Sequence, residues 1–196
     1  MDTFEYLFSL IGLLLGFVLV EVLSGFVRAI KAGRPHRPGD ESSVRVGWLT
    51  LMLAIFVMVD VASYWSNVWE TRDTLTMGMD VVFVALFVIG LYYFAASMVF
   101  PDDLGDWPDL DEWFWMNKRR VLLCVAVANG VGMTAVALFA PERPSLIEII
   151  VVQGVYFTAL LIAALSRGPR LFAGSIGFLL LGYAAQGLIY AINRVD

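Results

Sequence analysis

Apolar residues in this chain come in long runs separated by short polar connectors. Six runs can be marked, from Phe4 to Val27, Val46 to Asn67, Leu75 to Phe100, Val121 to Ala140, Leu146 to Leu165 and Leu171 to Ile192. A helix rises about 1.5 Å per residue, so about twenty residues cross a hydrocarbon layer about 30 Å thick. Runs of this length exceed the strands of a membrane barrel, and in lipid only helices and closed barrels satisfy every backbone N–H and C=O. The pattern therefore predicts an all-α polytopic membrane protein, with six transmembrane helices in a single domain over residues 1–196. The first run opens "MDTFEY", with two acids, whereas a cleaved signal opens with bases and carries a shorter apolar core. It is read as a retained first helix.

Composition agrees. Hydrophobic residues make up 60% of the chain and charged residues 16%, with a mean hydropathy of +0.79. Soluble domains run at about half apolar and about a quarter charged, so the excess needs lipid to cover it. The bases fall unevenly between the runs. Arg28, Lys31, Arg34, Arg37 and Arg45 follow the first, Lys118, Arg119 and Arg120 follow the third, and Arg167 and Arg170 follow the fifth. Only Arg72, Arg143 and Arg194 fall on the other side, so the positive-inside rule puts both termini outside. The net charge of -5 argues against a nucleic-acid partner, which would want a basic patch.

Several chemistries lack their residues. Cys124 is the one cysteine and His36, in "GRPHRPGD", the one histidine. That excludes an intrachain disulfide, a thiolate metal centre and paired-histidine haem ligation. No phosphate-binding loop, HExxH or GxSxG occurs, and Ser63 and Ser97 have no histidine to activate them. No cofactor or metal is expected. An intramembrane enzyme ranks third among the readings, because an aspartyl-type hydrolase needs two carboxylates at one site.

What remains is a set of polar residues inside apolar runs. "FVMVDVASYWSNVW" carries Asp60 in mid-run, and helical spacing lines Asp60, Ser63, Tyr64 and Asn67 along one stripe. Such residues face other helices or water, since lipid does not solvate them. Glu21 lies about 10 Å along a helix from Arg28, and Asp60 about 22 Å from Arg45, so the two acids do not touch directly. With Asp80 and Glu148 near the outer ends, the acids form a stepped series, which a proton or cation pathway needs along a wet cavity. The alternative is that Asp60 joins helices by hydrogen bonds to Asn129, Gln153, Gln186 or a tyrosine. For Asp80 and Glu148 the alternative is an ordinary helix-end acid.

Two further patterns stand out. Gly12 and Gly16, and Gly177 and Gly182 farther on, mark places where helices approach closely, within one chain or in a homo-oligomer. The connector "PDDLGDWPDLDEWFWMNKRR" sets Trp107, Trp113 and Trp115 among acids just ahead of Arg119 and Arg120. It reads as an interfacial segment, with indoles at headgroup depth, or as a docking face for a cytosolic or membrane protein partner. Residues 28 to 45 read as a flexible loop touching anionic headgroups.

The order "YYFAASMVFPDD" followed by "DLDEWFWMNKRR", with Phe56, Asp60, Ser63, Trp65 and Trp69 spaced along the second run, resembles a family of small bacterial multi-pass proteins. The resemblance implies a bacterial inner-membrane home and brings no activity, ligand or active site with it. The expected function is passage or sensing of a small ion or solute through the bundle. In that reading Asp60 is the central group, Glu21 the inner one, and Tyr64 and Asn67 line the seam. A non-catalytic membrane partner or scaffold acting through the Trp-rich connector is the runner-up.

Overall fold

The structure is a computed structural model that describes residues 3–33, 44–72, 78–139 and 146–193. Its elements are α1 (Thr3–Ala32), α2 (Trp48–Glu70), α3 (Met79–Ser97), α4 (Leu110–Phe139), α5 (Leu146–Leu165) and α6 (Pro169–Asn193). Among the described residues no strand forms, and the one β-type feature is an isolated bridge between Arg45 and Asp109. Five helices are long and apolar enough to cross a membrane: Phe4–Ala32, Trp48–Glu70, Met79–Ser97, Leu110–Leu138 and Pro169–Ile189. The apolar stretch of α5, Val151–Leu165, is shorter.

Helix ends differ from the runs for local reasons. α1 continues past Val27 to Ala32, so Arg28 and Lys31 are helical and not part of a loop. Lys31 sits in the last turn, where the partial negative charge of the helix end favours a cation. α3 stops at Ser97, ahead of Pro101, whose ring disfavours helical geometry in the residue before it. α4 starts at Leu110, well before Val121, because Asp109 Oδ1 accepts the Asp111 N–H at 2.9 Å and caps the new helix. The charged residues of α4, from Asp111 to Arg120, all precede the apolar length that begins at Val121.

The chain divides into two compact units, Met1–Pro144 and Ser145–Asp196. In the first, α1 packs on α2 and α3, and α4 packs on the same two, so α1 and α4 occupy opposite corners and α2 approaches α3 across the bundle. One stripe of each helix is buried, including Leu53, Phe56 and Val57 of α2 and Val81, Ala85 and Val88 of α3. Large apolar side chains also cover the outside, among them Phe17 of α1 and Phe83, Phe87 and Phe94 of α3. A soluble bundle puts polar residues there, whereas lipid accepts either face. In the second unit α5 and α6 pack as a hairpin, and Ser166 closes α5 by donating from Oγ to the Ala163 carbonyl at 2.7 Å.

The two ends of the first unit are built differently. At one end Phe8 lies 5.1 Å from the Trp65 ring and 5.0 Å from that of Trp69, while the Arg72 guanidinium sits 5.1 Å from the Trp69 ring. At the other, Arg45 N–H donates to Pro108 O at 2.8 Å and Leu110 N–H to Arg45 O at 3.1 Å. The Thr50 hydroxyl donates to Leu110 O at 3.0 Å, and Arg28 to Asp102 O at 3.3 Å. The entry to α2 is thereby tied to the entry to α4.

Glycine contacts are uneven. A Cβ at Gly12 would sit 3.0 Å from the Trp65 indole nitrogen, so Gly12 seats α2 against α1. Among the described residues nothing lies within 4 Å of such an atom at Gly16 or Gly182, and Gly177 is half-buried in α6. Gly25 makes the closer approach: an added Cβ would come within 2.9 Å of Phe100 Cβ, an atom fixed by the backbone. Gly25→Ala should therefore destabilise the protein by about 1 to 3 kcal/mol through overpacking. Gly16→Ala should be neutral or stabilising by up to about 1 kcal/mol from helix propensity. Thermal unfolding in detergent checks the pair, and equal midpoints would contradict the packing described.

Candidate functional site

Asp60 lies about midway along α2 and is 1% exposed. Two side chains from other helices reach its Oδ2: the Tyr92 hydroxyl of α3 donates at 2.7 Å, and Asn129 Nδ2 of α4 donates at 2.9 Å. Asn129 Nδ2 is also 3.1 Å from the Tyr92 oxygen and donates to the Val125 carbonyl one turn back at 3.0 Å. That last bond fixes the amide, because a carbonyl accepts only from the NH2 side. One oxygen of one carboxylate thus ties three helices together, across the direction in which α2 approaches α3.

Period decides which tyrosine is used. Val81, Ala85, Val88, Ile89, Tyr92, Ala95 and Ala96 form the buried stripe of α3, and Tyr93 points away. Tyr64, one turn after Asp60, stacks at a tilt on Tyr92 with centroids 5.5 Å apart. Gly132 of α4 makes room for the Tyr64 ring, since a Cβ there would lie 3.2 Å from Cε2. Asp60, Tyr64, Tyr92 and Asn129 form a polar and aromatic knot inside an apolar bundle. It can hold a charge, or accept a proton and remain hydrogen-bonded.

The other polar residues are distributed as follows. Ser63 and Tyr64 are half-buried but Asn67 is exposed, so the stripe leaves the interior toward the end of α2. Glu21 is half-buried on α1, and Asp80 is exposed in the first turn of α3. Gln153 is half-buried on α5 and Gln186 exposed on α6, both in the second unit. The side chain of Glu148 and all of His36 lie outside the described residues. Tyr92 is the site residue that the sequence pattern does not single out, although "LYYF" sits in mid-run and helical spacing separates its buried tyrosine from the exposed one.

The Trp-rich connector forms a second polar cluster. Trp107 and Trp113 meet edge to face at 5.1 Å, and the Trp113 indole donates to Met98 O at 3.0 Å. Trp115 covers the Lys118 ammonium at 4.7 Å. Arg119 and Arg120 are exposed, as are Asp102, Asp103, Asp106 and Glu112. Asp111 turns inward against Gly47, where no side chain larger than hydrogen fits, and its Oδ1 is buried without a hydrogen-bond partner among the described residues. Arg45 lies 3.5 Å from the Asp109 carboxylate. Among the described residues no three carboxylate, imidazole or thiol groups gather as a metal site would require.

Comparison with family models, curated proteins and solved structures gives no match.

One comparison of variants follows from this geometry. Tyr92→Phe deletes a buried donor to Asp60 and should cost about 1 to 3 kcal/mol of stability. Tyr93→Phe, on the exposed face, should stay within about 0.5 kcal/mol. Equal unfolding midpoints for the two variants would contradict the assignment of Tyr92.

Proposed function

We propose that this is a six-span protein of the bacterial inner membrane with both termini outside, and that it passes or senses a small ion or solute through the bundle at Asp60. The observation that carries the reading is a single carboxylate held at 1% exposure by hydrogens from two other helices. A carboxylate at membrane depth costs several kcal/mol unless it is partnered, and an apolar residue would fill the same space without that cost. The cluster connects α2, α3 and α4, so a change in the charge of Asp60 alters three helix contacts at once. That enclosure favours a sensing or gating site over an open channel. No catalysis, cofactor or nucleic acid enters this reading.

A second reading draws on a separate observation. Asp102, Asp103, Asp106 and Glu112 are exposed on a backbone held to the start of α2 by the Arg45 and Asp109 bridge. An ordered acidic face beside paired indoles suits a cytosolic or membrane protein partner that carries bases.

Reconstituted vesicles separate the two. Asp60→Asn should abolish pH-dependent flux of the small ion or solute under the first reading, with partner binding intact. Flux that is unchanged in the variant, or absent from the parent, discards passage through the bundle.

A further inference from the structure

Between α2 and α4, Asp60 sits at the edge of the packed core. The buried positions of α2 lie between Leu49 and Val61, and those of α4 between Leu110 and Ala128, one residue short of Asn129. Farther on, toward Glu70 on one helix and Phe139 on the other, no described side chain of either is buried. On the Trp48 and Leu110 side of Asp60 the two helices bury Leu53, Phe56, Val57, Val121, Leu122 and Val125, each at 0 or 1% exposure. On the Glu70 side stand Ser63 and Tyr64, half-buried, and Asn67, exposed. Tyr64 is the bulky side chain there, one turn beyond Asp60, and its ring spans three helices. It lies over the Tyr92 ring of α3, with centroids 5.5 Å apart and planes at 53°, and fits against Gly132 of α4.

We propose that Asp60 is reached from the Glu70 end of α2 and that the Tyr64 ring is the gate on that side. The gate rests on Asp60 as the site of passage or sensing, and it adds the direction from which that site is entered. Ring contacts hold Tyr64 far less firmly than backbone bonds hold a helix, so the side chain can change rotamer while α2, α3 and α4 stay in place. Moving the ring aside uncovers Asp60, Tyr92 and Asn129, and a space with that many polar partners takes up water. A gap on the other side of Asp60 is lined by aliphatic groups and stays dry.

Hydroxyl radicals generated in water oxidise side chains that water touches, so footprinting of the full chain in detergent, read by mass spectrometry at Tyr92, tests the gate. A Tyr93→Phe background removes the neighbouring tyrosine from the signal. The parent should label slowly, since Tyr92 is 0% exposed. Tyr64→Ala should raise the rate about tenfold or more, whereas Tyr64→Phe, which keeps the ring, should stay within about twofold of the parent. Val57→Ala, on the packed side, should also stay within about twofold. If Tyr64→Ala fails to fold, Tyr64→Leu serves instead and should raise the rate about threefold or more. Labelling that ignores loss of the ring overturns the proposal, as does an equal rise in Tyr64→Phe or Val57→Ala. The outcome is separable from the vesicle assay. A rise on loss of the ring without flux removes passage and keeps the gate, whereas flux in a protein whose Tyr92 labelling ignores Tyr64 keeps passage and removes the gate.

Discussion

The first unit is organised around the need to partner one carboxylate in an apolar interior. An isolated buried charge costs far more than any single packing contact gives, so Asp60 is tolerated only where other helices bring hydrogens to it. Tyr92 comes from α3 and Asn129 from α4, each at a position fixed by helical period, and their bonds to Oδ2 set the relative heights of the three helices. Neighbouring features fit those heights: Tyr64 lies on Tyr92, and Gly132 leaves space for it. Lateral hydrophobic force between helices is weak in lipid, which gives such polar contacts and close glycine approaches more of the work of specifying the arrangement.

The two ends of the same unit use opposite chemistry. One is an aromatic cluster of Phe4, Phe8, Trp65 and Trp69 with Arg72 laid on its edge, amphipathic groups of the kind that settle at a membrane surface. The other is a polar seam in which Arg45 N–H donates to Pro108 O, Leu110 N–H to Arg45 O and the Thr50 hydroxyl to Leu110 O. Between them lies an apolar length interrupted by the Asp60 cluster.

How much of this can be read from the residues depends on the period involved. Helix class and the existence of the long apolar helices follow from runs of about twenty residues, a signal that tertiary packing does not override. The interior position of Asp60, and Asn129 among its possible partners, follow from the cost of burying a carboxylate. Less legible is anything set by rotation of one helix against another. The four-residue stripe from Asp60 to Asn67 treats α2 as facing one way throughout, yet Asn67 is exposed. Likewise "GLLLG" offers two equivalent glycines, but Trp65 meets only Gly12, while Gly25, in no evident motif, receives Phe100. The start of α4 is signalled by Pro108 and Asp109 but hidden by the charges that precede its apolar run.

A double-mutant cycle on Asp60→Leu and Tyr92→Phe tests the central claim most directly, read as unfolding free energy in detergent. Each single change leaves a buried polar group without its partner, whereas the double change removes both. The account predicts a double variant less destabilised than the two singles combined, with a coupling of about 1 to 3 kcal/mol. Additive losses would mean that the two side chains do not meet, and that α2, α3 and α4 are not arranged around Asp60.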